Sequence, residues 1–329
     1  MATEQEYQQC LKDMFSLRRF GIKLGLSTIR DILAKVGNPQ DSMHCIHVAG
    51  TNGKGSVAAS LAAVLTACGY KTGLYTSPHL VHFNERIVID NRPIPNERVV
   101  ESYRVIKSVH PADRPPTFFE FATAMALLEF ARHQVQWAVI ETGMGGRLDA
   151  TNIINPDLCI ITNISLEHRE YLGNTLREIA AEKAGIVKTG VPVVTGVRQK
   201  EAVSEIYAAA AKRGASVYRR GHDFRVQRRD AKAFTYRGIE AVWSGLQTSL
   251  AGDFQFDNVA LALAACEILG RKGWALSENC IRSGLSNTRW PGRLERISES
   301  PYILLDGAHN LMAARRLADG LWGVSVPSD

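Results

Sequence analysis

The feature that most constrains the fold is a glycine-rich turn between a β-branched apolar run and an alanine-rich helical run. It occupies residues 45–56 and reads CIHVAGTNGKGS. Glycines in such a turn let backbone N–H groups close around phosphate oxygens, and the next helix adds the positive end of its dipole. Lys54 can reach the terminal phosphates of a nucleotide, and the Ser56 hydroxyl can ligate Mg²⁺.

This turn matches the common phosphate-binding loop imperfectly. Val48 stands where the strict pattern has glycine, and Gly55 separates Lys54 from Ser56. The alternative is an ordinary strand–turn–helix connection. We favour phosphate binding because strand, glycines, lysine, hydroxyl and helix occur together in the required order.

Apolar runs typical of buried strands alternate with stretches whose apolar residues recur at helical spacing. We expect strands at 44–49, 71–76, 137–142, 157–163 and 191–195, and helices at 56–68, 118–133, 175–187 and 201–213. The alternation predicts an α/β fold with a doubly wound, mostly parallel sheet, whose ligands bind beyond the carboxyl ends of the strands. The glycine-rich turn, Ser77, Glu141 and residues 163–168 lie at or just after predicted strand ends.

The remaining segments are less regular. We expect two short helices within 7–36, a long loop after residue 79 interrupted by Pro93 and Pro95, a small antiparallel β patch within 217–249, and a helix at 256–270. In the helix after the glycine-rich turn, one apolar stripe is predicted, formed by Val57, Leu61, Val64, Leu65 and Cys68.

Composition bounds the class of protein. The 329 residues favour two domains, and 45% hydrophobic with 22% charged residues is typical of a globular chain. The basic residues from Arg219 to Arg229 fit a solvated hairpin better than an anion patch, and no aromatic–basic pattern suggests nucleic acid. We expect neither a signal peptide nor a membrane span. The six widely spaced cysteines predict reduced core residues of a cytoplasmic protein.

A new unit begins near Arg293. Residues 302–305 predict a strand, and residues 306–310 turn into a helix, like the first βα unit of a second domain. We therefore expect one domain at 1–294 and an incomplete second domain at 295–329, because roughly 35 residues are too few for a domain. We therefore expect a C-terminally truncated chain.

Several short motifs follow the glycine-rich turn in order. They are Thr76-Ser77-Pro78-His79, Phe83-Asn84-Glu85-Arg86-Ile87, residues 141–152 (ETGMGGRLDATN), Glu167-His168, Glu182-Lys183-Ala184-Gly185-Ile186, Trp290-Pro291-Gly292-Arg293 and Asp306-Gly307-Ala308-His309-Asn310. Together they closely resemble the folylpolyglutamate synthase/dihydrofolate synthase family, a branch of the Mur-type ATP-dependent ligases. The resemblance runs from about Phe20 to Asn310, and it makes 1–294 a Mur-like ATP-binding domain and 295–329 an incomplete glutamate ligase domain.

The resemblance implies that a carboxylate is joined to the amine of L-glutamate, with ATP activating the carboxylate as an acyl phosphate. The implied substrates are dihydropteroate or folate, L-glutamate and ATP, with Mg²⁺, two ions in all, as cofactor. We expect a monomer that binds neither nucleic acid nor membrane. Two alternatives stay open: a truncated nucleotide-binding fragment with little turnover, and a Mur-type ligase acting on a cell-wall precursor. Residues 148–152 and 83–86 argue against the second.

The resemblance also assigns roles to residues. The implied catalytic residues are Lys54, Glu141, His168 and Lys183, and the implied metal ligands are Ser56, Ser77, Glu141 and His168. The implied ATP contacts are Gly50, Thr51, Asn52, Gly53, Lys54, Gly55, Ser56, Asn258, Arg293, Asp306 and His309. The implied substrate contacts are Phe83, Arg86, Thr117, Phe119 and Asp149.

Each assignment has a plainer alternative. Glu141 ends a buried strand, where an unpaired carboxylate is costly, so a metal ion or an ion pair would relieve it. Periodicity alone predicts that Lys183 is a surface helix lysine, whereas the family often carbamylates the lysine of this motif. Asn258 could hydrogen-bond its own backbone, and Phe119 could simply pack in the core.

Overall fold

A computed structural model describes residues 3–21, 25–111, 114–229 and 233–321. Its helices are α1 (Glu4–Ser16), α2 (Ser27–Lys35), α3 (Lys54–Ala67), α4 (Asn96–Val109), α5 (Phe118–Arg132), α6 (Arg169–Leu172), α7 (Leu176–Ala184), α8 (Lys200–Ala211), α9 (Phe254–Arg271), α10 (Glu278–Asn287) and α11 (Leu311–Leu321). Its strands are β1 (His44–Ala49), β2 (Thr72–Tyr75), β3 (Ile87–Ile89), β4 (Arg92–Pro93), β5 (Trp137–Glu141), β6 (Leu158–Ile161), β7 (Val193–Thr195), β8 (Val217–Arg219), β9 (Arg225–Arg228), β10 (Ala233–Arg237), β11 (Val242–Gln247), β12 (Glu295–Glu299) and β13 (Tyr302–Leu305).

An eight-stranded sheet in the order β4-β3-β2-β5-β1-β6-β7-β8 forms the centre of the fold. In this order, each strand of the series β2-β5-β1-β6-β7-β8 pairs in parallel with the next. Strands β3 and β4 add an antiparallel edge beside β2. Strands β5 and β6 are buried along their whole length because helices cover both faces of the sheet, which explains their continuous apolar runs. The predicted doubly wound, mostly parallel α/β fold is confirmed.

Helix α3, which follows the glycine-rich turn, is buried on all sides from Gly55 to Leu65. The prediction of a single apolar stripe was wrong, because α3 packs between the sheet and helices α9 and α10. Its alanines let the neighbouring helices approach closely. A Cβ added at Gly284 of α10 would lie 2.4 Å from the Cα of Val64, so glycine is required at that crossing.

The segment after residue 79 is more regular than the sequence indicated. A short 3₁₀ helix (Phe83–Arg86), the antiparallel strands β3 and β4, and the 14-residue helix α4 occupy the predicted loop. Pro95 immediately precedes α4, where its fixed φ suits a helix start, so this proline marks a helix boundary. The buried face of α4 packs against α5 and α1.

The antiparallel patch is confirmed as the three-stranded sheet β11-β10-β9, whereas β8 belongs to the main sheet. Helix α10, which the sequence analysis did not predict, lies against α3 and β11.

The prediction that all six cysteines are reduced core residues was wrong. Cys68, at the end of α3, forms a disulfide with Cys280 of α10, and the two are 212 residues apart in the chain. The pairing depends on how two helices cross, which residue spacing does not reveal. Cys10, Cys45, Cys159 and Cys266 are free and buried, as expected.

The strand predicted at 302–305 is β13, which pairs with β12 in a separate two-stranded sheet. Ile303 and Leu305 are 41% and 44% exposed. The turn into α11 nevertheless contacts the glycine-rich loop, because Asn310 and Asn52 exchange side-chain amide hydrogen bonds of 2.9 and 3.3 Å. The domain boundary at 294/295 stays a prediction, and residues 322–329 lie outside the described residues. Within the described ranges, no helix is both long and apolar enough to cross a membrane.

Candidate functional site: two adjoining cavities

The first cavity, of about 530 Å³, opens at the carboxyl ends of β1, β5 and β6 and at the start of α3. It brings together residues that are far apart in the sequence. The predicted residues that line it are Thr51, Asn52, Gly53, Lys54, Gly55, Ser56, Ser77, Glu141, His168, Asn258, Arg293, Asp306 and His309. This placement follows the rule that ligands of open α/β sheets bind beyond the carboxyl ends of strands.

The glycine-rich loop is held tightly against the rest of the site. Gly53 has φ 82° and directly precedes α3, and a Cβ there would meet the Asn258 side-chain oxygen at 2.3 Å. Asn163, just after β6, fixes the loop on both sides: its Oδ1 accepts from the Asn52 N–H at 3.0 Å and its Nδ2 donates to the Asn52 carbonyl at 2.8 Å. These contacts hold the loop in a fixed conformation.

Lys54 has no carboxylate partner within salt-bridge distance among the described residues. Its Nζ donates to the carbonyl oxygens of Gly50 and Thr51, both at 3.0 Å. The ammonium thus lies over its own loop and at the wall of the cavity. A cation held only by neutral carbonyls suits an incoming phosphate, to which it can form shorter, charge-assisted hydrogen bonds.

Glu141 ends β5 at the floor of this cavity and is 4% exposed. Burial raises the pKa of Glu141 to about 7, although the Lys54 ammonium and the Ser77 N–H, 3.2 Å from Oε2, oppose the rise. Among the described residues, no three His, Cys, Asp or Glu side chains form a group that could hold a metal ion alone. One carboxylate beside the hydroxyl residues Ser56 and Ser77 instead fits Mg²⁺, which keeps several waters and takes further oxygens from phosphates.

Lys183 is buried, which corrects the prediction of a surface helix lysine. It is 1% exposed, and its Nζ donates to the Gly50 carbonyl and to Glu167 Oε1, both at 2.8 Å. Burial, with the nearby Lys54 charge, lowers the pKa of Lys183 to about 8, while Glu167 opposes the decrease. Lys183 therefore holds the glycine-rich loop in place through its hydrogen bond to the Gly50 carbonyl.

The second cavity, of about 440 Å³, lies beside the first and is lined by residues from α5, the 143–150 loop and the 3₁₀ helix at 83–86. Four of the predicted substrate contacts line it, namely Arg86, Thr117, Phe119 and Asp149. Phe83 does not: it is 1% exposed and belongs to the hydrophobic core.

The Arg86 guanidinium is a buried positive charge at the second cavity. Arg86 is 5% exposed, and its Nε donates to His79 Nδ1 at 2.7 Å. No acidic side chain of the described residues forms a salt bridge with it; the ring of Phe118 lies 5.1 Å from its Cζ. Burial, together with the Arg86 charge, lowers the pKa of His79 to about 4, so His79 stays neutral and accepts this hydrogen bond. A buried, unpaired guanidinium favours an anionic ligand.

The two cavities share a wall. Ser77, Pro78 and Gly143 line both of them. A ligand in the second cavity would therefore face the region beyond the glycine-rich loop where terminal phosphates would lie. The arrangement suits transfer between a nucleotide and a second, anionic substrate, because holding two reactants in contact removes much of the entropic barrier.

Comparison with known proteins agrees with this arrangement. Residues 48–266 match the Mur ligase middle domain. The chain is 40% identical over 325 residues to the dihydrofolate synthase/folylpolyglutamate synthase of Bacillus subtilis, covering 95% of this chain and 75% of that protein. The chain belongs to the folylpolyglutamate synthase/dihydrofolate synthase family.

Solved structures of this family have the same fold. An FPGS complex with AMPPCP and folate superposes with a TM-score of 0.90 at 38% identity, covering 96% of this chain and 80% of that one. Escherichia coli FolC in complex with DHPP and ADP superposes with a TM-score of 0.88 at 34% identity, covering 97% and 75%. The family is one of ligases, and the sequence resemblance is confirmed.

The structure assigns local contacts to the other predicted residues. Asn258 Nδ2 donates to the side chain of Gln255, at 2.8 Å from its Oε1, rather than to the helix backbone. The Asp306 carboxylate accepts the N–H groups of Leu294 and Ala308, both at 2.8 Å. His309 and Arg293 line the first cavity, and their roles toward a nucleotide stay predictions.

The sequence predicts no contact for three polar residues that hold the site together, Asn163, Glu167 and His47. Glu167 precedes His168, and its pairing with Lys183 was not foreseen. The available signal was the position of 163–168 at the end of a predicted strand. His47 lies inside an apolar strand, where only its polarity marked it.

Proposed function

We propose that the protein joins L-glutamate to dihydropteroate, to folylpolyglutamates, or to both, with ATP as the energy source and an acyl phosphate as intermediate. The observation that carries the proposal is the shared wall of Ser77, Pro78 and Gly143 between the cavity at the glycine-rich loop and the second cavity. The proposal is also supported by the similarity to the B. subtilis dihydrofolate synthase/folylpolyglutamate synthase and by the AMPPCP, folate and DHPP ligands of the solved relatives.

The chemistry follows from the weakness of a carboxylate as an electrophile. A carboxylate oxygen attacks the γ-phosphorus of ATP, the bond to ADP breaks, and the acyl phosphate retains a good leaving group. The glutamate amine then attacks the acyl carbon, the C–O bond to phosphate breaks, and an amine proton is lost. The products are an amide, ADP and phosphate, and catalysis consists mainly of positioning and charge neutralisation.

In this proposal, the backbone N–H groups of the 50–56 loop bind the nucleotide phosphates. Lys54 leaves its carbonyl partners to neutralise the transferred phosphoryl group. Ser56, Ser77, Glu141 and His168 hold the expected Mg²⁺ ions, whose chemistry when bound is to neutralise charge on the phosphate oxygens. Asn258, Arg293, Asp306 and His309 complete the nucleotide site.

Arg86 is proposed to bind a carboxylate of the second substrate, because its charge is buried and unpaired by any acidic residue among those described. Thr117, Phe119 and Asp149 are proposed to hold the pterin portion. Thr117 also caps α5, since its side chain accepts from the Glu120 N–H. Phe83 is left outside this set because it packs in the core.

Carbamylation of Lys183 is a further part of the proposal. A neutral Nζ would attack the carbon of CO₂, forming an N–C bond and releasing one proton. Burial and the pKa near 8 support it, since a sizeable fraction of the amine is uncharged near that pH. The contact with Glu167 opposes it, because a carbamate there would face a carboxylate. Carbon-13 NMR of protein incubated with labelled bicarbonate tests for the carbamate signal.

The deciding experiment measures phosphate release with ATP, L-glutamate and dihydropteroate or a reduced folate, leaving out one component at a time. We expect release only with all three, and transfer of ¹⁸O from a labelled substrate carboxylate to the released phosphate. Nucleotide binding without release under any condition would favour the alternative of a binding protein with little turnover. Release without ¹⁸O transfer would contradict the acyl phosphate. The expected monomer is tested by light scattering.

A further inference from the structure

A buried chain of hydrogen bonds connects the central strand to the second cavity. His47, in β1, is fully buried, and its Nε2 lies 2.8 Å from Thr151 Oγ1. Thr151, also fully buried, donates through Oγ1 to Asp149 Oδ1 at 2.5 Å. The Nδ1 atom of His47 has no hydrogen-bond partner in the described structure. A buried histidine that is only half satisfied needs an explanation.

The directions of these hydrogen bonds follow from the proton count. Asp149 also accepts the N–H groups of Met144 at 2.8 Å and of Thr151 at 3.0 Å, so both of its oxygens act as acceptors. The single hydroxyl proton of Thr151 is therefore used toward Asp149. His47 must then donate from Nε2–H, and its Nδ1 carries a lone pair. The ring atom without a partner is thus the acceptor Nδ1, whereas the donor Nε2–H is bonded to Thr151.

We propose that His47 and Thr151 are positioning residues that hold the Asp149 carboxylate in place for the N–H donors of the pterin substrate. The inference rests on the proposed function, which places the pterin in the second cavity. A donor to Thr151 Oγ1 fixes the Thr151 rotamer and strengthens its hydrogen bond to the carboxylate. Burial lowers the pKa of His47 to about 3, so the imidazole stays neutral and keeps this arrangement.

His47 also connects Asp149 to the glycine-rich loop through its own strand. Strand β1 continues directly into the glycine-rich loop, so the strand that presents the phosphate-binding loop also supports Asp149. A purely structural role would weaken the whole molecule and both ligand sites together. A positioning role predicts a selective loss of pterin affinity.

The test uses Thr151→Val, which keeps the side-chain shape and removes the hydroxyl. We expect the KM for dihydropteroate to rise roughly tenfold or more, the loss expected when hydrogen bonds to a charged group are removed, with the KM for ATP nearly unchanged. Thr151→Ser should restore most of the affinity. Thr235→Val is the matched control, because Thr235 is equally buried but its hydroxyl has no partner in the described structure.

Two measurements keep the inference open to refutation if the variants fold poorly. Nitrogen-15 NMR of the unaltered protein should show His47 protonated at Nε2 and not at Nδ1; the opposite tautomer would overturn it. Calorimetric titration of dihydropteroate separates the positioning role of Thr151 from the proposed pterin site. Normal binding by the parent and equal binding by Thr151→Val would overturn the positioning role alone. No binding by the parent would overturn the proposed pterin site, and this inference with it.

Discussion

Replacing Glu141 with Gln should stabilise the metal-free protein at alkaline pH. The carboxylate is buried and accepts one described hydrogen bond, so its charged form is costly in the fold. The rise of its pKa from 4.5 to about 7 corresponds to about 3 kcal/mol, at about 1.4 kcal/mol per pH unit. A neutral amide of nearly the same shape avoids this cost.

The difference in stability between the parent and Glu141→Gln depends on pH. Below the unfolded-state pKa of 4.5, the carboxyl group is protonated in both states, so parent and variant should have nearly equal stability. Between 4.5 and about 7, the folded parent keeps a proton that the unfolded chain has released, so its free energy of unfolding falls as pH rises. Above about pH 7 the free energy of unfolding of the parent falls no further, and Glu141→Gln should be more stable than the parent by about 3 kcal/mol.

The assay is urea denaturation followed by tryptophan fluorescence, with EDTA, at about pH 5 and about pH 8. Glu129→Gln is the control: Glu129 is equally buried but pairs with Arg98 at 2.9 Å and Arg132 at 3.1 Å, so its loss should destabilise the fold. With Mg²⁺ present, Glu141→Gln should need more Mg²⁺ for activity, since an amide is a poorer ligand than a carboxylate. An advantage independent of pH, or a loss of stability at alkaline pH, would refute the reasoning.

The remaining predictions concern single contacts. Lys54→Ala should abolish detectable binding of an ATP analogue in calorimetry while leaving the thermal midpoint nearly unchanged, because its Nζ contacts only carbonyl oxygens of its own loop; unchanged affinity would contradict the loop assignment. Lys183→Met should cost about 3–5 kcal/mol in denaturant unfolding by leaving the partly buried Glu167 carboxylate without its partner, and adding Glu167→Gln should recover part of that loss. Phe83→Ala should cost about 3–5 kcal/mol of stability; a rise in substrate KM without loss of stability would return Phe83 to the substrate site. Reducing the disulfide between α3 and α10 should lower stability by about 2–5 kcal/mol, measured by calorimetry with and without dithiothreitol, because it closes a long loop.

The structure brings predicted site residues together where a local pattern determines a local structure. The residues of 45–56 specify a strand, a tight turn and a helix start from their own backbone preferences, and strand ends in a parallel sheet meet at one edge. The positions of Lys54, Ser77 and Glu141 around one cavity therefore followed from chain order. The prediction of a loop around Pro93 and Pro95 was wrong because a proline can begin a helix as well as interrupt one, and Pro95 directly precedes α4.

Contacts between neighbouring residues specify the fold class, the glycine-rich turn and the order of the motifs, so these could be predicted from the sequence. Which polar groups are buried, and with which partners, depends on how distant segments pack in three dimensions. Lys183 contacts Gly50 across 133 residues, and Cys68 pairs with Cys280 across 212. Periodicity describes one face of one helix, whereas burial depends on every element that packs against it. For this reason, only the packed molecule shows that His47, Asn163 and Glu167 hold the site residues in place.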